Sequence, residues 1–206
     1  MFLNCHSHFS FKYGTMSVEA LIAEAKGKKL DAIALTDINC TAGIFSFIRA
    51  AQKAGIHPVI GIDFRNGTQQ NYIGLARNQE GFYELNQHLS NHLIHKKEFG
   101  AKAPAFENSF VIYPLPDKLI TLRENEFIGV HPGQLNRLIS SPWFRKKEKL
   151  VLLQPASFSS KVQFSAHRLL RSIDLNTLLS KLPKAEQGDS TDQFYSYADM
   201  VSRCES

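Results

Sequence analysis

The order of its apolar runs constrains this 206-residue chain more than any other feature. Short, near-continuous apolar segments alternate with amphipathic ones, and the early apolar segments end in residues able to do chemistry. Residues 2–5 read as a strand running into His6-Ser7-His8. Thr15 or Ser17 can cap a helix in which Val18, Leu21, Ile22 and Ala25 share a face at i, i+3, i+4 and i+7. Residues 30–35 read as a buried strand ending at Thr36-Asp37. A second amphipathic helix, marked by Ile44, Phe45, Ile48 and Ala51, is closed by Gly55. Residues 57–62 give a third strand, ending at Asp63. The Asn66-Gly67 pair then signals a hairpin returning through residues 71–75.

Later segments are less sharply marked. A helix is expected from about Glu80 to Lys96, strands over 110–113, 126–130 and 150–153, a short helix over 134–139 and a longer one over 162–173. Residues 184–191 are polar and turn-rich, followed by a helical stretch over 195–203. Alternation of this kind predicts a mainly parallel sheet covered by helices. The carboxyl ends of parallel strands lie on one face, so the same pattern gathers His6, His8, Asp37 and Asp63 into one cleft.

Composition agrees with a single soluble domain. The hydrophobic share is 43% and the charged share 21%, ordinary values for a globular protein of a size that folds without disulfides. No apolar run approaches the roughly 20 residues of a membrane helix. The opening MFLNCHSHFS lacks the basic and apolar regions of a secretory signal. Cys5, Cys40 and Cys204 lack metal-ligand or redox spacing, which predicts reduced thiols and a cytoplasmic protein. The net charge of +5 is concentrated in Lys96-Lys97 and Arg145-Lys146-Lys147-Glu148-Lys149. Such runs are usually solvated, and otherwise make weak, sequence-blind contact with a nucleic-acid backbone.

Histidine and carboxylate together suit Zn²⁺, Mn²⁺ or Fe, ions that activate bound water. An i, i+2 pair on extended chain points to one side, so His6 and His8 can act together. His88, His92 and His95 share a helical face and are expected to form a polar face or a helix end. His57 is expected to be structural, His167 buried or surface-facing, and Trp143-Phe144 a packed loop anchor. The chain has no phosphate-binding loop, dinucleotide fingerprint, nucleophile elbow or zinc-finger spacing.

Three segments carry a resemblance. The runs Cys5-His6-Ser7-His8-Phe9-Ser10, Ala34-Leu35-Thr36-Asp37-Ile38-Asn39 and Gly55-Ile56-His57-Pro58-Val59-Ile60-Gly61-Ile62-Asp63-Phe64 resemble the first three motifs of the PHP (polymerase and histidinol phosphatase) family. The flavour is that of the N-terminal PHP domains of bacterial DNA polymerase III alpha subunits. The resemblance implies a distorted seven-stranded β/α barrel over about residues 1–180, with the polar tail and last helix at 184–206 completing a single domain. It also implies up to three metal ions, and phosphoesterase or 3′–5′ exonuclease activity in some members.

The implied ligand set is incomplete here. His6 and His8 match, and Asp63 stands where a bridging carboxylate is commonly Glu. Tyr13 and Ile38 occupy ligand positions, and Pro155-Ala156-Ser157 replaces a late Asp-x-His pair. His92 and His131 lie near two further positions. The expectation is a degenerate site in which His6, His8 and Asp63, with His131 as an added candidate, hold at most one Zn²⁺, Mn²⁺ or Mg²⁺ at sub-stoichiometric level or none. Asp37 supports the cleft, and a hydrogen-bonded network, for example from Tyr13 to a histidine, replaces the lost ligands. The implied role is structural, within a DNA-directed DNA polymerase whose chemistry lies outside these residues. Its partners would be the remainder of the alpha subunit, nearby DNA and a proofreading protein, with no membrane. The competing reading is an active metal-dependent phosphoesterase with a reduced site.

Overall fold

The computed structural model describes residues 1–205. Strands β1 (Phe2–Cys5), β2 (Ala32–Leu35) and β3 (His57–Asn66) alternate with helices α1 (Val18–Gly27) and α2 (Ile44–Ala54). Strand β4 (Gln69–Ala76), helix α3 (Gln79–His95), and strands β5 (Ser109–Pro114) and β6 (Glu126–Val130) follow. Helix α4 (Leu135–Ile139), strands β7 (Leu150–Leu152) and β8 (Pro155–Ala156), and helices α5 (Lys161–Asp174) and α6 (Tyr197–Glu205) complete the chain. Local chemistry sets the boundaries. The Ser17 side chain accepts from the Ala20 amide to start α1, and Gly55, at φ 74°, ends α2 in the left-handed region.

The strands form one eight-stranded sheet in the order β7-β6-β5-β4-β3-β2-β1-β8. All neighbours pair in parallel except β4, which runs against β3 and β5 through the Asn66-Gly67 hairpin. The expected count of seven is therefore corrected to eight. The strand expected over 150–153 is β7, which pairs with β6, and an unexpected short strand, β8, follows it and pairs with β1 at the far edge. Only Leu153 and Gln154 separate these two edge strands, and such a link reaches about 10 Å. The sheet must therefore curl into a half-barrel whose edges approach each other.

The period of two along the strands divides the core. Ala34, Ile73, Ile112 and Leu153 meet inside the curl. Ile33 and Leu35 face outward, onto Leu21 and Phe47 of the first two helices. On the other flank Phe64, Tyr72, Leu85 and Trp143 form a second outer cluster. His88 and His92 belong to that flank and not to a polar face. The Tyr72 hydroxyl lies 2.7 Å from His88 Nε2, and His92 stacks on Phe99 with ring centroids 4.6 Å apart. His95 and His57 are exposed. Trp143 is the expected loop anchor: fully buried, with its indole N–H donating to the Lys118 carbonyl at 3.3 Å.

Gly61 sets how close β3 comes to its neighbours. A Cβ there would meet the Gly74 carbonyl oxygen and, at 2.9 Å, Thr36 Cγ2. Gly61→Val is expected to destabilise the domain by about 1–3 kcal/mol or more through overpacking. A lowered urea midpoint at unchanged slope would report that loss.

Candidate functional site

Seven strands share a direction, so their carboxyl ends form one rim, and the polar residues collect there. Asp37, just past β2, is buried and organises the loop that follows β1. Its Oδ1 accepts from the Ser7 amide and the Ser10 hydroxyl, and its Oδ2 accepts from the Ser7 hydroxyl, each at 2.7 Å. Asp63 is not a strand end, because β3 continues to Asn66. It sits where β3 leaves β2, its amide and carbonyl joined to Asp37 and Asn39.

Asp63 Oδ2 is the centre of the site. It accepts from Arg65 Nη2 at 2.7 Å, Arg65 Nε at 2.9 Å, Gln70 Nε2 at 2.9 Å and His6 Nε2 at 3.0 Å. Burial opposes ionisation of Asp63. The Arg65 charge and the His6 hydrogen bond outweigh it and hold the carboxyl at about 2. Since Nε2–H must donate to this carboxylate, Nδ1 of a neutral His6 ring accepts the Ser157 hydroxyl, 2.8 Å away. Asp63 Oδ1 is buried without a hydrogen-bond partner among the described residues. Tyr13 closes the cluster. Its ring meets the edges of His6 and His167 at 5.6 and 4.5 Å, and the Arg65 guanidinium lies 5.1 Å from its centroid.

The expected Tyr13-to-histidine link exists, but through the backbone and the ring. The buried His167 donates from Nδ1 to the Tyr13 carbonyl at 2.8 Å and accepts the Gly188 amide at Nε2 at 2.9 Å. Burial pushes its pKa down to about 4.

His8 does not join His6. Extended geometry ends at Cys5, and the Asp37-pinned turn carries His8 to the surface, where Nδ1 lies 3.3 Å from the Met16 carbonyl. His131 sits past β6 with Nε2 4.0 Å from Asp192 Oδ1, and His92 belongs to the aromatic flank. Among the described residues no group of three or more His, Cys, Asp or Glu is placed to hold a metal ion. As arranged, the cluster does not fit one. The His6 nitrogen facing Asp63 carries a proton, a guanidinium already covers Asp63 Oδ2, and the remaining Oδ1 is a single buried oxygen without a second ligand group beside it.

Arg65, Gln70, Ser157 and Asp192 are absent from the candidates named from sequence. Arg65 was detectable, since Asp63 and Arg65 are i, i+2 on a strand and share a face. Gln70 pairs with Arg65 across the hairpin. Asp192 carries no such signal, because only the tertiary fold brings it to the rim.

A curled, mainly parallel α/β sheet with a buried His-Asp-Arg cluster at its strand ends defines an α/β domain with a strand-end polar site. The chain belongs to the PHP domain family, whose profile matches residues 3–151. Relatives include an error-prone DNA polymerase of Symbiobacterium thermophilum, 39% identical over 85 residues, covering 41% of this chain and 8% of that protein. The DNA polymerase III alpha subunit of Ureaplasma parvum is 34% identical over 99 residues, 47% of this chain and 10% of that one. The match thus spans a tenth or less of each of these relatives. A solved amidohydrolase from Chromobacterium violaceum is 14% identical, with a TM-score of 0.39 over 98% of this chain and 96% of that one.

Two predictions follow from the electrostatics. Asp63→Asn leaves the Arg65 charge buried without a counter-charge and is expected to cost about 3–5 kcal/mol. Arg65→Met in the same chain should restore part of that loss in a double-mutant unfolding cycle. Asp192 is the opposite case: burial pushes its pKa up to about 7, against the hydrogen bond from the Asp189 amide. A raised folded-state pKa gives stability that is full below the unfolded value near 3.8 and lost as pH rises through 7. Asp192→Asn should therefore raise the unfolding midpoint more at pH 8 than at pH 4, measured by urea titration at each pH.

Proposed function

We propose that this chain is the PHP domain of a DNA polymerase III alpha-like protein, acting as a structural module whose metal site is degenerate. The observation that supports this most is Arg65, whose guanidinium lies 2.7 Å from the Asp63 carboxylate. A positive group fixed on that carboxylate neutralises it in place of a cation. It offers no Lewis-acid coordination and no activated water. His6 is occupied on both ring nitrogens, so it is a positioning residue and not a general base.

On this reading residues 1–206 form a single cytoplasmic domain that braces the remainder of the polymerase subunit. No helix among the described residues is long and apolar enough to cross a membrane. Arg145, Lys146 and Lys147 are exposed beside Phe144, with the Lys147 ammonium 5.2 Å from that ring. They suit weak contact with nearby DNA phosphates, and a proofreading protein is the further partner of this reading. Polymerase chemistry lies elsewhere in such a protein.

Purified chain should carry no stoichiometric Zn²⁺ or Mn²⁺ by elemental analysis. It should also fail to hydrolyse a generic phosphodiester when either ion is added. One tightly held equivalent, with turnover lost in Asp63→Ala, would instead support a reduced but active phosphoesterase.

A further inference from the structure

We propose that residues 184–194 are a built-in strap that closes the strand-end cleft and seals the His6–Asp63–Arg65 cluster from solutes the size of a phosphate ester. The proposal rests on the degenerate-site reading only for what the cleft contains.

The segment is polar and has little regular structure, yet bonds from several elements hold it across the rim. At its start, the Glu186 carbonyl accepts from Arg171 Nε at 2.8 Å, and its carboxylate accepts from Thr68 on the β3–β4 hairpin at 3.2 Å. Arg168 Nε donates to the Gln187 side chain at 3.0 Å. Gly188 then packs against Tyr13 and His167, which flank the cluster. Its amide donates to His167 Nε2 at 2.9 Å, and a Cβ at this position would lie 2.8 Å from the Tyr13 hydroxyl and 3.2 Å from Phe158 Cζ. A side chain has no room there, so glycine lets the backbone rest on Tyr13.

Further on, the Asp192 carbonyl accepts both the Ser157 and Phe158 amides, at 2.9 and 3.1 Å. Gln154 Nε2 donates to the Thr191 carbonyl at 2.9 Å. These bonds fasten the strap to both sides of β8, at Gln154 before it and at Ser157 and Phe158 after it. Phe194 ends the strap, buried with its ring centroid 4.9 Å from that of Phe2. The strap thus touches the chain beyond β1, β3 and β8 and also helix α5, which is how a cover spans a mouth. Beneath it His6, Asp63 and His167 are each 0% exposed.

Several of these bonds are to backbone groups, so the strap should open as a unit. Histidine modification by diethyl pyrocarbonate, followed by mass spectrometry, reads the closure directly. In the wild-type chain at neutral pH, His8, His57 and His95 should react, while His6 and His167 react at least roughly tenfold more slowly. Gly188→Val should lift the strap and bring His6 and His167 toward the rate of His8, with the far-UV circular dichroism unchanged. Should that variant fail to fold, hydrogen exchange on the wild type decides. The Gly188, Ser157 and Phe158 amides should exchange together and slowly. Wild-type His6 reacting as fast as His8, or an unprotected Gly188 amide, would overturn the strap. A stoichiometric metal without phosphodiester turnover would count against the degenerate site and leave the strap standing, whereas turnover at the cluster would overturn both.

Discussion

One buried ion pair governs this domain: Arg65 against Asp63 at 2.7 Å, with both side chains almost wholly removed from water. Two such charges are costly to desolvate, and close geometry with added hydrogen bonds offsets that cost, here concentrated on one oxygen while Oδ1 has no hydrogen-bond partner among the described residues. Oδ2 of Asp63 receives both Arg65 nitrogens, Gln70 and His6, and His6 in turn is fixed by Ser157. The pair therefore ties β3, the β3–β4 hairpin, the end of β1 and the end of β8 to one point. Removing either charge would unbalance all four.

The surrounding chain is arranged to keep this point in place. Asp37 uses both oxygens to hold the turn after β1, which aims His6 inward and His8 outward. Gly61 lets β3 approach β2 and β4 closely enough to carry Asp63 to the rim. Tyr13 packs its ring against His6, Arg65 and His167. The same strand-end geometry that could assemble a catalytic metal site here holds a packed, neutralised core. Fold and chemistry are separable in this way because the rim positions tolerate any side chains that satisfy one another.

Much of the fold was legible in the sequence, because its elements carry strong periodic signals. Val18, Leu21, Ile22 and Ala25 are all buried on α1 as their spacing requires, and Asn66-Gly67 does turn β3 into β4. The second edge strand, Pro155–Ala156, was not legible. It depends on the curl of the whole sheet, which no local pattern records. At the site, His6 and Asp37 were found because each lies just past a strand, and Asp63 because it stands where β3 leaves β2, although β3 itself runs on to Asn66. The expectation that His8 would accompany His6 assumed extended chain beyond Cys5, and the Asp37 turn breaks that assumption. Asp192 and Ser157 come from distant segments and are brought in by packing alone.

The central claim is that Arg65 holds the place beside Asp63 that a metal would need. It is tested most directly by NMR of the chain carrying ¹⁵N-labelled histidine, titrated with Mn²⁺. This account predicts that the His6 ring signals stay sharp while those of the exposed His8 broaden gradually and without an end point. Selective broadening of His6, complete at one equivalent of Mn²⁺, would contradict it.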